Sequence, residues 1–172
     1  MPEDRNSRWL SVINFILIKV AWAACVIGGS LPGSAVILLM LALCLYQGRW
    51  RRERSFVFSL ALIGLVLDSA WIYLGILDFG ANTLRFAGIA LPPFWILLLW
   101  VAVGLSLFEA LGFFVRRPLL GALIVGVMAP VSYSTGAGLG AVTIPSTPML
   151  MVIGVVWMLV FAIVFKMAQR AQ

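Results

Sequence analysis

The chain has 172 residues, of which 63% are apolar and only 10% charged, and its mean hydropathy is +1.12. Soluble domains carry roughly 25% charged and 45–50% apolar residues, so no water-soluble core accounts for this composition and the bilayer is the natural solvent. The formal charge of +6 invites a nucleic-acid reading. That reading fails because the basic residues sit in short segments between apolar runs, where membrane topology explains them.

Arg5 and Arg8 precede an apolar run that ends in Ala23-Ala24-Cys25, superficially a lipoprotein signal. Glu3 and Asp4 dilute its basic region, Lys19 interrupts the run and Trp22 is a poor residue just before a cleavage site, so the run reads as a retained span. The expected spans are Leu10–Gly29, Leu31–Gln47, Phe56–Leu77, Phe94–Phe114, Leu119–Val142 and Met149–Met167. Each is near the ~20 residues that cross a ~30 Å hydrocarbon core, although the second is short and would begin only at Ser34 if Leu31–Gly33 did not continue it. Between them lie a Gly28–Gly33 turn, a basic loop Gly48–Arg54, a polar loop Asp78–Leu91 ending at Pro92-Pro93, a basic Val115–Pro118 loop and an uncharged Thr143–Pro148 turn.

With the N-terminus inside, Arg5, Arg8, Arg49, Arg51, Arg52, Arg54, Arg116, Arg117, Lys166 and Arg170 are all cytoplasmic. Arg85 alone lies outside, and Lys19 lies in the membrane. The positive-inside bias therefore predicts an all-α, polytopic transmembrane helical bundle of about six spans, residues 1–172 forming one integral domain with both termini cytoplasmic. Spans one to three and four to six run in opposite senses, the arithmetic of an inverted repeat, but the two halves show no sequence similarity.

The chain has no His, which removes His-based metal sites and a His general base; no metal and no cofactor is expected. Cys25 and Cys44 fall at depths about 15–20 Å apart, too far for a disulfide, and read as small packing residues. Ser132 lacks the flanks of a nucleophile elbow, and Gly136, Gly138 and Gly140 follow no strand, so they are no phosphate loop. The Arg49–Arg54 cluster reads as a topology signal that can also meet anionic headgroups.

Ionisable residues inside spans normally face the bundle interior. Asp68 lies on one helical face with Gly64, Trp71 and Gly75, about 18 Å above the inner end of its span. It reads either as a proton acceptor or substrate contact, or as a buried structural partner for a hydroxyl or cation. Lys19 is expected to form a buried charge pair, with Glu109 below it or Asp68 above it; the plainer role of that pair is to fix helix packing. Pro130 is expected to kink span five. The hydroxyls after it, Ser132 and Tyr133, fall near the depth of Asp68, as does Trp100, so Asp68, Trp100, Ser132 and Tyr133 are candidates to line one pocket, with Ser69 and Trp22 beside them. The alternative is a small-residue packing face with Tyr133 bonded to a carbonyl.

The stretches Trp22-Ala23-Ala24-Cys25-Val26, Gly64-Leu65-Val66-Leu67-Asp68-Ser69, Pro93-Phe94-Trp95-Ile96-Leu97-Leu98-Leu99-Trp100 and Ala129-Pro130-Val131-Ser132-Tyr133, followed by Gly136 to Ala141, carry a resemblance. In their order and spacing the chain resembles the bacterial membrane family filed as domain of unknown function 2878. The resemblance implies a small inner-membrane protein whose genes often neighbour those of fatty-acid modification enzymes. The sequence departs from that family's pattern at Phe108-Glu109, where Asn and His are expected, and at Lys19, where a neutral polar residue is expected. Either the Asn-His pair matters for catalysis and this member works differently, or Lys19 and Glu109 replace a polar contact together as a salt bridge.

Three functions fit these residues. The first is a component of membrane lipid or fatty-acid modification, enzyme or accessory, with Asp68 and Tyr133 as candidate catalytic residues. The second is a small proton-coupled transporter or flippase-like carrier, and the third a non-catalytic assembly protein. The expected partners are membrane lipids and a membrane or peripheral protein.

Overall fold

A computed structural model describes the backbone from Pro2 to Gln172 and the side chains from Trp9 onward. The chain is all-α. Its helices are α1 Pro2–Gly28, α2 Ser30–Tyr46, α3 Trp50–Tyr73, α4 Phe94–Ser106, α5 Gly112–Val115, α6 Pro118–Gly138 and α7 Met149–Arg170. Four of them, α1 from Trp9 onward, α3, α6 and α7, are long and apolar enough to cross a membrane. The other two apolar helices are shorter, 17 residues in α2 and 13 in α4. Their lengths are roughly 25 and 20 Å at 1.5 Å per residue.

The helix limits depart from the hydropathy reading where charges and turns decide them. The basic segment is not a loop: α3 begins at Trp50 and carries Arg51, Arg52, Glu53 and Arg54 in its opening turns. Arg and Glu are good helix formers, and Arg49 and Glu53 pair at i,i+4. Its other end comes early, at Tyr73, and Gly75 lies outside the helix with φ 66°, so it does not share the helical face of Gly64 and Asp68. Span four also stops short. Turns fill 107–111 between Ser106 and α5, while Ser106, Leu107 and Phe108 stay buried, the condition under which non-helical backbone is tolerated at membrane depth. Pro118 opens α6 and Pro130 sits inside it without ending it. That helix ends at Gly138, before the expected Val142. Between α3 and α4 the polar loop holds a 3-10 turn, Gly80–Asn82, and a hairpin of β1 Leu84–Phe86 with β2 Ile89–Leu91. Its two-residue turn, Ala87-Gly88, has φ of 49° and 83°, the positive values a tight hairpin connection requires.

Two compact units are formed. The first contains residues up to Leu65 together with Phe94–Gly112; in it α1, α2 and α4 pack on one another. Gly64 of α3 faces the indole of Trp100 so closely that a Cβ there would enter the ring. The second contains Val66–Pro93 and Phe113–Gln172, and its spine is the α6–α7 pair. A Cβ on Gly126 would lie 2.9 Å from the Gly154 carbonyl oxygen, and one on Gly154 2.7 Å from that of Gly126. Small residues at that crossing let two backbones touch, the usual route to helix association in lipid. An aromatic row on α7, Trp157 stacked on Phe161 at 5.6 Å and Phe161 beside Phe165 at 5.4 Å, fills the same unit. Asp78 and Thr143 exchange backbone bonds of 2.9 and 2.7 Å, which ties the segment after α3 to the segment after α6.

Candidate functional site

Asp68 lies five residues before the end of α3, and Tyr133 five residues before the end of α6. Both are therefore about 7–8 Å from the C-terminal ends of their helices at 1.5 Å per residue. The structure joins them: the Tyr133 hydroxyl donates to Asp68 Oδ1 at 2.7 Å. Asp68 is fully buried. Tyr133 meets the edge of Trp157 at 6.3 Å, so the aromatic row on α7 aims the phenol. Ser69 and Ser132, next in chain to the two partners, are half-buried in the same unit. Tyr133 thus bonds a carboxylate rather than the carbonyl of the packing alternative. Chemically the pair is a proton-sharing unit, since a carboxyl group can take or release a proton and a phenol can donate or relay one.

Trp100 and Trp22 belong to the first unit. Trp100 is 2% exposed and packs on Gly64, and Trp22 is half-buried in α1.

The expected buried pair of Lys19 with Glu109 or Asp68 is replaced by a different arrangement. Lys19 is exposed, its ammonium 5.4 Å from the centre of its own helix's Phe15 ring, and it makes no ion pair among the described residues. Glu109 lies in the turn after α4, where it accepts from Ser11 Oγ at 3.2 Å and stands 3.7 Å from Arg49 and 3.8 Å from Arg52. Two guanidiniums brought up by the start of α3 satisfy the carboxylate, so the lysine has no call on it. A charge at the bilayer centre costs about 2.5–3.5 kcal/mol on insertion scales, more than the about 0.5–1 kcal/mol of an exposed cation–π contact.

A second polar cluster, in the first unit, was missed in the sequence. Glu53 is fully buried. It receives Arg49 Nη1, stands 3.6 Å from Arg52, and accepts from Cys44 Sγ at 3.3 Å. Cys44 is thus a thiol donor as well as a packing residue. Arg49 also donates to Gln47 at 2.6 Å, and Arg52 lies over Phe108, 4.6 Å from its centroid. Asn14, 6% exposed, donates through Nδ2 to the Leu105 carbonyl at 3.3 Å. A helix end leaves its last carbonyls without intrahelical donors, and Asn14 supplies one where α4 stops. The i,i+4 spacing of Arg49 and Glu53 was a usable signal for this cluster; a lone Asn in span one was a weak one. Among the described residues, no three His, Cys, Asp or Glu side chains converge as metal ligands.

A family model described as "Protein of unknown function (DUF2878)" matches residues 11–163. The chain belongs to that family. No curated protein and no solved structure matches it. The DUF2878 match spans Asp68 and Tyr133, and also the Arg49–Glu53–Glu109 cluster, so both polar centres lie within the family region.

Proposed function

We propose that this DUF2878 protein is a component of membrane lipid or fatty-acid modification in the bacterial inner membrane, with Asp68 and Tyr133 as its acid–base pair. The observation that carries the reading is the 2.7 Å bond from the Tyr133 hydroxyl to a fully buried carboxylate. That centre sits between two membrane-spanning helices, so the substrate that meets it is one that partitions into the bilayer. Ser69 and Ser132 would hold polar atoms of that substrate. Six crossings with cytoplasmic termini accompany this proposal. Three observations support that topology: Glu109 lies beside Arg49 and Ser11 in one unit, Gln169 donates to the Arg116 carbonyl at 3.4 Å in the other, and Asp78 pairs with Thr143. Each joins segments the topology places on one side.

Whole-membrane lipid profiles of a deletion strain complemented with wild type, Asp68→Asn or Tyr133→Phe at matched membrane levels test the reading. It requires a lipid species restored by wild type and not by Asp68→Asn. Identical profiles in all strains would remove it. One observation favours a second reading, a proton-coupled carrier: the helical path of α4 is interrupted between Ser106 and Gly112, and discontinuous helices mark many carrier sites. Proton flux into liposomes that depends on Asp68, with lipid profiles unchanged, would select it.

A further inference from the structure

Trp9–Gly28 is the membrane-crossing part of α1, and it buries the smallest share of its length among the four long apolar helices. Lys19 lies ten residues from Trp9 and nine from Gly28, about 14–15 Å from either end at 1.5 Å per residue. It is therefore near mid-bilayer. Its stem already leans toward the N-terminal side, onto Phe15, and the reach of a lysine stem leaves the ammonium still within the hydrocarbon. Lys19 also lies on a stripe. Val12, Ile16, Lys19, Ala23 and Ile27 recur at three- and four-residue spacing, the spacing of one helix face, and all but the half-buried Ala23 are exposed.

A cation on such a face is costly at mid-bilayer, and an anion at its own depth is the strongest partner that offsets the cost. The chain's described acidic side chains are already engaged. Glu53 holds Arg49 and Cys44, Asp68 takes the Tyr133 hydroxyl, Glu109 takes Ser11 beside two arginines, and Asp78 caps the Gly80 amide at 2.8 Å. Glu3 and Asp4 precede the apolar span in sequence. A second copy packed symmetrically along α1 would set Lys19 against Lys19. We propose that the Lys19 stripe of α1 docks a transmembrane helix of a different protein, one that carries an Asp or Glu at mid-bilayer depth to pair with Lys19. The partner is recognised by charge within the hydrocarbon and by the Val12, Ile16 and Ile27 ridge around it. This goes beyond the acid–base reading and does not depend on it.

The test places a photo-crosslinking benzoylphenylalanine at Ile16 in the full chain, made in its own host membranes, with adducts identified by mass spectrometry. The expected adduct is one membrane protein cross-linked through a helix that contains an intramembrane Asp or Glu. Its yield falls at least about tenfold in Lys19→Leu, as loss of a charge pair in a low-dielectric setting requires, and is kept in Lys19→Arg. Exchange of the charges, Lys19→Asp with the partner carboxylate changed to Lys, restores it. Lys19→Leu makes the span more apolar, so poor insertion cannot account for a loss. An adduct unchanged by Lys19→Leu, an adduct with a second copy of this chain, or adducts with lipid alone would each overturn the proposal.

Discussion

In the unit of α1, α2, α4 and the first part of α3, the buried carboxylate of Glu53 and the partly exposed one of Glu109 share the guanidiniums of Arg49 and Arg52. In the other unit, Asp68 accepts from the phenol of Tyr133 inside two spanning helices. The first arrangement gathers two negative and two positive groups where α3 begins and α4 ends, and it closes a gap in the backbone with Asn14. Its geometry suits holding helix ends together. The second brings a proton donor and a proton acceptor to one point, five residues before the ends of two long apolar helices. On the proposed reading the Glu53 cluster serves chiefly stability and the Asp68 pair function, a contrast that can be broken at either end.

The largest effect is expected from Glu53→Ala. Removing one partner of a buried ion pair costs about 3–5 kcal/mol, so thermal denaturation in detergent will show a marked fall, and activity will fall only with the amount of folded protein. An unchanged melting temperature would deprive the cluster of its structural role. Next comes Gly126→Ile. With the Gly154 oxygen 2.9 Å from the site of a new Cβ, overpacking costs about 1–3 kcal/mol. The loss appears as a weaker α6–α7 pair in denaturation, and Tyr133 is displaced with it. Tyr133→Phe keeps the ring against Trp157 and removes one hydrogen bond, so its stability cost stays within about 1–3 kcal/mol while lipid rescue is lost. Smallest is Arg51→Ala: the side chain is exposed, and a change away from buried features is worth within about 0.5 kcal/mol. A larger loss of melting temperature there would extend the stabilising cluster beyond Arg49 and Arg52.

Hydropathy located α7 to within three residues at its end, because the run from Met149 is apolar and meets no charge before Lys166. Equal depth along the spans was enough to put Asp68 and Tyr133 among the candidates to line one pocket, but not to show that the phenol bonds the carboxyl group. Apolarity could not show where α4 stops: Leu107 and Phe108 are as apolar as the helix before them, and the turn there is held by Asn14, Ser11 and two arginines from distant segments. Glu53 was hidden for a related reason. By sequence the basic segment reads as a loop, whereas it forms the opening turns of α3 and one of its charges, Glu53, is fully buried. By sequence Lys19 calls for a partner inside the chain because an intramembrane charge is costly alone, but Glu109 has Arg49 and Arg52 beside it.

The most direct test of the division between the two centres is lipid rescue per unit of folded protein in the membrane, measured for Tyr133→Phe beside Glu53→Gln. The account predicts that Tyr133→Phe folds to near the wild-type level and rescues little, while Glu53→Gln folds less and rescues in proportion to what is folded. Rescue by Tyr133→Phe in proportion to its folded amount would contradict it, and would make the Asp68–Tyr133 bond one more packing contact.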